Sequence, residues 1–303
     1  MTLETLSTCL VCDTTELEVL DAECNISRCM RCGYVFHNPR PSFDELVNFY
    51  SRPSQYDHWL EQLEPRDRMW KRRLKIILPF RKPGSLLDVG TGIGQFLSVA
   101  RPYYNQVCGT EVSSTAVEIA KRKYDIDLLR GTLEDLANAG KVFDNISLFH
   151  VLEHVPNPMT LLQICHSLLS RDGVLVIAVP NEVASLRSSL KRRLVAAGIL
   201  KPRTGAGRFG LQRIALAEET EEVHLSHFTP SVLSNLLRRT GFEILKQTLD
   251  PHYIRTTRKE KFRADLYYNA CLTMERLLHV NLYDTMLAIA RKVPQAEERQ
   301  FAA

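Results

Sequence analysis

The chain has 303 residues, 45% hydrophobic and 24% charged, which excludes a disordered or fibrous protein and allows one large α/β domain with additions. A formal charge of +4 is too small to point by itself to nucleic acid. No charged-then-apolar leader opens the chain, and the longest apolar run, Val174 to Val179, falls far short of a membrane span, so a cytoplasmic protein is expected.

Four of the eight cysteines come first, as Cys9-x-x-Cys12 and Cys29-x-x-Cys32. Each C-x-x-C turns two thiolates onto one metal, and two such knuckles make a tetrahedral S4 site. The sequence between them reads as polar and strand-poor, so zinc is expected to organise it. A redox pair or two disulfides are the alternatives, and a cytosolic chain disfavours disulfides. Cys24 fits neither knuckle and reads as a spare thiol. Gly33, a short aromatic strand and prolines at 39 and 41 close this head. Residues 42–82 then read as helical, with Arg66, Arg68, Lys71, Arg72, Arg73 and Lys75 expected on a solvated face.

Ser85 to Leu97 reads S-L-L-D-V-G-T-G-I-G-Q-F-L. An apolar strand runs into glycines at 90, 92 and 94, and a helix follows. Such a turn exposes backbone N–H groups and a helix start to a ligand. Asp88 just before the turn suits a cationic amine and would repel a pyrophosphate. The stretch resembles motif I of class I S-adenosylmethionine (SAM) dependent methyltransferases. The cysteine head resembles the zinc ribbon that precedes the methyltransferase domain in a set of bacterial enzymes, whose acceptor is often a sugar or a natural-product scaffold. The resemblance implies an α/β, Rossmann-like, doubly wound sheet of seven strands in the order 3-2-1-4-5-7-6, behind a small zinc ribbon. It also implies that an aromatic of the lead-in, Tyr50 or Tyr56, closes over the cofactor; a core role is the alternative.

Strand two, Gln106 to Glu111, ends in an acid about twenty residues past the turn, placed to accept ribose hydroxyls. Ser113 caps the next helix, and a short strand from Asp127 to Arg130 follows. In the family the next turn flanks the adenine, which matches Leu133 and Glu134; Glu134 also reads as a helix-start acid. Strand four, Asn145 to Phe149, runs into H-V-L-E-H-V-P-N-P, a string that resembles the segment after strand four in a large methyltransferase branch. Some quinone-pathway O-methyltransferases carry a carboxylate where His150 stands, and it helps bind a divalent metal there. Asn157 and Pro158 open a helix, and Val174 to Val179 is strand five, ending at Asn181. Asp88, Glu111, His150 and Asn181 therefore fall at the carboxyl edge of one sheet, where such folds bind ligands.

From 187 to 213 eight basic residues occur without an acid: Arg187, Lys191, Arg192, Arg193, Lys201, Arg203, Arg208 and Arg213. A basic lid over an anionic acceptor is expected, with a merely soluble insertion as the alternative. His224 and His227 follow, three apart, with no third metal ligand evident in the sequence. Thr229 and Pro230 start a helix, Gly241 to Leu249 is strand six, Phe262 to His279 is helical, and Tyr283 to Arg291 is strand seven.

The expected divisions are a zinc-ribbon head over 1–41, a helical lead-in over 42–82, a SAM-binding core over 83–181, a basic insertion over 182–228, a C-terminal part over 229–294 and a tail over 295–303. Expected cofactor contacts are Asp88, Gly90, Gly92, Gly94, Glu111, Leu133, Glu134 and His150. Expected zinc ligands are Cys9, Cys12, Cys29 and Cys32. His154 is the favoured proton acceptor, with Glu153 beside it and His227 as runner-up. The reaction expected is methyl transfer to an oxygen or carbon of a small-molecule acceptor, such as a sugar nucleotide. A zinc-headed RNA methyltransferase and a catalytically silent SAM-fold subunit are the alternatives; small net charge weighs against the first and the intact glycine turn against the second.

Overall fold

The computed structural model describes residues 2–50, 52, 56–130, 133–201, 205–207, 209–216 and 222–293, apart from the side chains of His58, Arg130 and Ala196. Arg203, Arg208 and the tail over 295–303 lie outside these residues. The head comprises β1 (Leu3–Glu4), β2 (Leu17–Asp21), β3 (Ile26–Cys29), β4 (Val35–His37) and β5 (Arg40–Pro41). Helices α1 (Phe43–Tyr50), α2 (Asp57–Glu61) and α3 (Leu63–Ile77) form the lead-in. The first half of the core is β6 (Ser85–Val89), α4 (Gln95–Ala100), β7 (Gln106–Glu111), α5 (Ser114–Tyr124), β8 (Leu129–Arg130) and α6 (Leu133–Asn138). The second half is β9 (Phe143–Phe149), α7 (Pro158–Leu168) and β10 (Leu169–Pro180). The chain ends with α8 (Leu186–Ala196), β11 (Ser226–His227), α9 (Pro230–Arg239), β12 (Phe242–Leu249), α10 (Arg258–Leu278) and β13 (Thr285–Lys292).

The main sheet has seven strands in the order β12-β13-β10-β9-β6-β7-β8. Counted from β6 as strand one, that is 3-2-1-4-5-7-6 read from the other edge, the expected order. β6, β7, β8, β9 and β10 pair in parallel, while β13 runs antiparallel to both β10 and β12. The central strands are rich in apolar residues, unbroken from Val174 to Val179, because both faces of the sheet are covered; Leu87, Ile146, Leu148 and Leu175 are wholly buried. Local chemistry sets the helix starts. Ser113, Asn157 and Thr229 accept from the backbone N–H of Ala116, Thr160 and Val232, and prolines at 158 and 230 occupy the first turn.

Three expectations change. The stretch between the cysteine knuckles is not strand-poor: β2 and β3 form an antiparallel hairpin there. Asp21, Ile26 and Ser27 are buried in it, so tertiary packing overrides a weakly periodic sequence. The basic run of α3 is not uniformly solvated, since Arg66 and Arg73 are buried at 7% and 1% exposure. They lie seven residues apart, on the same helical face as Met69, Trp70 and Leu74. The basic insertion does not roof the sheet edge. Around Gly207 and Phe209 it packs on the head, where Phe209 N–H donates to Asp21 and the Gly207 backbone lies against Asp21 and Cys24, while the start of α8 is held by Asp284, which accepts from the Ser185 and Ser188 hydroxyls.

The head is built into the same core as the main sheet. β11 adds to β4, giving a second sheet in the order β11-β4-β3-β2. Cys9, Tyr34 and Phe36 share one buried cluster with Phe228, Val232 and Leu236 of the chain around α9. Phe228 is wholly buried against the Tyr34 ring, 5.9 Å between centroids. Phe228→Ala is expected to lower stability by about 3–5 kcal/mol in urea unfolding, with head and main sheet unfolding together.

Candidate active site

The turn after β6 explains the positions of two carboxylates. Gly90 and Gly92 have φ of +62° and +57°, a left-handed backbone that favours glycine. A Cβ at Gly90 would stand 2.8 Å from Val151, and one at Gly92 2.6 Å from the Trp59 ring. The Gly92 N–H donates to Glu111 Oε2 at 2.7 Å. Glu111 Oε1 accepts from the Val112 and Ser113 N–H groups at 2.8 and 3.0 Å. Burial pushes the Glu111 carboxyl up, and these three backbone donors pull it back. Asp88 accepts the Ser147 hydroxyl at 2.5 Å. Burial pushes Asp88 up to about 7, and the Ser147 and Thr91 hydroxyls restrain the rise.

Both carboxylates line a cavity of about 640 Å³. Gly90, Thr91, Gly92, Leu133 and Glu134 line it with them, so the expected cofactor contacts gather there. Gly94 caps the start of α4 instead and is not among the lining residues. Asn181 also stays off the lining; it is wholly buried and its side-chain amide donates to the Tyr283 carbonyl.

The other end of the cavity is aromatic and rich in imidazole. Phe43, Tyr50, Trp59 and Trp70 come from the lead-in, His150 and His154 from the loop after β9. Tyr50 and Tyr56 both face the cavity. His154 Nδ1 lies 2.7 Å from the Val223 carbonyl and 2.8 Å from the Tyr50 hydroxyl. A carbonyl only accepts, so Nδ1 carries the proton and Nε2 is left with the lone pair. Burial lowers the His154 pKa below the ordinary histidine value, against the pull of Glu153, so the ring is neutral at neutral pH.

His150 is the reverse case. Its backbone is left-handed, φ +56°, an uncommon conformation for a non-glycine residue. Nδ1 stands 3.2 Å from Glu153 and Nε2 3.4 Å from Asp250. Burial opposes protonation, yet the two carboxylates raise the His150 pKa above its ordinary value. Asp250 is also held by Arg73 through two hydrogen bonds, Nε to Oδ1 at 2.7 Å and Nη2 to Oδ2. Glu153 is wholly buried and off the cavity lining. Burial would raise it, but His150, His154 and His224 hold it below the usual carboxylate range.

Two expectations about the acceptor end are corrected. His227 does not form the opposite wall: it is buried behind it, with Nδ1 2.9 Å from Glu182. Of the insertion's described residues only Glu222, an acid, reaches the lining, and no described basic one does. The wall is made instead by Glu222, His252 and Ile254, together with Arg66 and Arg73 of α3. These were missed because no motif marks them. The one available signal was the seven-residue spacing of Arg66 and Arg73 among apolar residues. Arg66 lies with its guanidinium 3.9 Å over the Trp59 ring, and its Nε has no hydrogen-bond partner among the described residues.

In the head, the sulfurs of Cys9, Cys12, Cys29 and Cys32 lie within 4.8 Å of one another. Cys9–Cys32 and Cys12–Cys29 are 3.6 and 3.5 Å apart. A zinc–sulfur bond of about 2.3 Å gives a tetrahedral edge of about 3.8 Å, so the four thiols fit that ion. Backbone N–H groups of Val11 and Cys32 point at the Cys9 and Cys29 sulfurs.

The strand order, the glycine turn and the paired acids at adjacent strand ends define a class I SAM-dependent methyltransferase fold. A model of the methyltransferase domain family matches residues 56–247, and the chain belongs to that family. A ubiquinone biosynthesis O-methyltransferase of Cereibacter sphaeroides is 30% identical over 149 residues, covering 48% of this chain and 58% of the relative. One of Haemophilus ducreyi is 37% identical over 108 residues, covering 32% and 45%. The chain thus spans about half the length of the curated relatives it matches. A SAM-dependent methyltransferase structure from Listeria monocytogenes superposes with a TM-score of 0.51 at 18% identity, over 76% of this chain and 99% of that one, a likeness of fold. No helix among the described residues is long and apolar enough to cross a membrane.

The Asp88 environment has a measurable consequence. Its folded pKa of about 7 exceeds the ordinary 3.8, so the ligand-free fold holds an extra proton between those values. The carboxyl's contribution to stability therefore falls as pH rises from about 4 to about 7. Thermal unfolding of Asp88→Asn should lack that fall, so its Tm relative to the parent rises between pH 5 and pH 8. An unchanged difference across that range would contradict the assignment.

Proposed function

We propose that the chain moves a methyl group from S-adenosylmethionine to an oxygen of a small-molecule acceptor, with His154 as the proton acceptor. The observation that carries this reading is the neutral His154, its tautomer set by Val223, on the wall of the cavity that begins at the glycine turn. Bound SAM supplies an electrophilic methyl group on a sulfonium. Asp88 and the turn suit its cationic amine, Glu111 its ribose hydroxyls, and Leu133 and Glu134 the adenine edge. Arg66 offers its guanidinium to the amino-acid carboxylate.

The acceptor lies between the lead-in aromatics and the His150–His154 loop. The five lead-in aromatic rings, Phe43, Tyr50, Tyr56, Trp59 and Trp70, favour a ring-bearing molecule. Two relatives named as O-methyltransferases support oxygen over carbon. Arg73 is neutralised by Asp250, and the insertion adds no cation to the lining among the described residues, which supports a neutral acceptor over the anionic one expected from sequence. Tyr50, Trp59 and Trp70 exclude water from the methyl path, and His154 Nε2 takes the hydroxyl proton as the methyl moves. The cysteine head is assigned one structural zinc, because four thiolates fill every coordination position.

Calorimetry should find SAM bound in the micromolar range, on the order of −8 kcal/mol. Glu111→Ala should weaken it by roughly 1.5–3 kcal/mol through lost charge-assisted bonds. A chain that binds no SAM would refute the reading.

His154→Ala should lower kcat by about 10²–10⁴-fold with SAM affinity nearly unchanged. The parent's rate should decline on acidification only below the ordinary histidine range, because burial lowers the His154 pKa. Full turnover in the variant would mean that the acceptor needs no base.

A further inference from the structure

A second polar cluster lies behind the cavity wall, outside the reaction path. Glu182 follows β10, and its Oε2 stands 2.9 Å from His227 Nδ1 and 3.2 Å from His224 Nδ1. One ligand atom from each of the three lies within 4.8 Å of the others. For a tetrahedral ion with bonds of about 2.0–2.1 Å the edge is about 3.3 Å; the two edges to Glu182, 2.9 and 3.2 Å, come within a few tenths of an ångström of it, and the edge between the histidines is within 4.8 Å. The third ligand that the H-x-x-H spacing lacked is thus supplied by a distant loop.

Independent observations separate this cluster from an ordinary ion pair. His224 Nε2 and His227 Nε2 are buried without a hydrogen-bond partner. The same holds for His37 Nδ1 on β4, whose ring centroid is 5.4 Å from that of His227. Among the described residues, His227 Nε2 and His37 Nδ1 without a partner, and His224 Nε2 met only by a distant carboxylate, mark a polar cluster that its own side chains do not complete. Beyond His224, Glu222 Oε2 stands 3.5 Å from Nε2, where a supporting carboxylate sits on a metal-bound imidazole. Two rival clusters are weaker. Asp250, between His150 and His252, is already occupied by Arg73. His154, grouped with Glu153 and His224, is already turned to Val223 and Tyr50.

We propose that Glu182, His224 and His227 bind a divalent transition-metal ion at a site separate from the four cysteines. Two imidazoles and a carboxylate select zinc, cobalt or nickel over magnesium and calcium. Water fills the remaining position, entering beside Glu182, whose side chain is 37% exposed. The ion clasps three pieces of chain. His227 lies on β11, paired with β4 of the head. Glu182 follows the main sheet, and His224 adjoins Val223, whose carbonyl sets the His154 tautomer. The site therefore couples the head to the wall that carries the proposed base.

The test is metal counting on the full chain, stripped by chelation and reloaded with Zn²⁺ or Co²⁺. Two equivalents per chain are expected. His224→Ala with His227→Ala should leave one equivalent, and Glu182→Gln should weaken the second by more than about tenfold. In the Co²⁺ form the thiolate charge-transfer bands belong to the cysteine cluster. A second, weaker visible set without such bands should disappear in the histidine variant while the thiolate bands persist. A single equivalent in the parent, or a second one that survives the histidine double variant, overturns the proposal. If that variant fails to fold, the parent's Co²⁺ spectrum decides: thiolate-ligated cobalt alone overturns it.

Discussion

The buried pair of Arg73 and Asp250 is the constraint on which the cavity depends. Both side chains are almost wholly inaccessible, at 1% and 0% exposure. Arg73 belongs to the lead-in and Asp250 follows β12, so two bonds join segments 177 positions apart. The guanidinium also lies 4.7 Å from the Trp70 ring centroid and 5.0 Å from that of Phe149. Removing one partner from such a pair leaves an uncompensated buried charge and costs about 3–5 kcal/mol. What the pair secures is position. It fixes α3 across the open end of the sheet, and it places Arg73 Nη2 2.8 Å from His150 Nε2.

From that anchor the protonation pattern of the cavity follows. His150 faces Glu153 and Asp250, which raise its pKa, while the Arg73 guanidinium beside Nε2 opposes the charge. His252 packs on it, ring centroids 4.4 Å apart, and burial with the neighbouring positive charge holds it neutral. His154 is turned away by Val223 and is also neutral. Imidazoles on one wall thus serve different purposes, because each meets a different set of carboxylates. At the far end, Asp88 and Glu111 accept from a hydroxyl and from backbone N–H groups and form no ion pair among the described residues, which suits a cationic ligand.

The head takes part in this arrangement. β11 joins the head sheet immediately after Glu222 and Val223 contribute to the site, and Tyr34 meets Ser226 hydroxyl to hydroxyl at 2.5 Å. Leu225 and Ser226 N–H groups both donate to the Glu153 carbonyl. The loop after β9, which carries His150 and His154, is therefore tied by backbone bonds to the strand that completes the head. A module fused in this way acts as a buttress for the site wall.

The sequence determined what short-range chemistry can specify. The glycine turn, the caps at Ser113, Asn157 and Thr229, the paired C-x-x-C knuckles and the alternation of strand and helix each depend on neighbours within a few residues. From them came the strands, the helices and the motifs that carry the family resemblance; the resemblance implied the strand order and the cofactor end, and His154 followed from its place just after β9. Tertiary structure decided the rest. Whether the basic run of α3 met water or a buried partner depended on Asp250, far along the chain. Where the insertion lay depended on Asp21 and Cys24 of the head. Which way His227 turned depended on Glu182, and the β2–β3 hairpin formed despite weak periodicity because the cysteine cluster and β4 bracket it. Periodicity and spacing record which face of an element is apolar; they carry no record of which distant charge will meet it there.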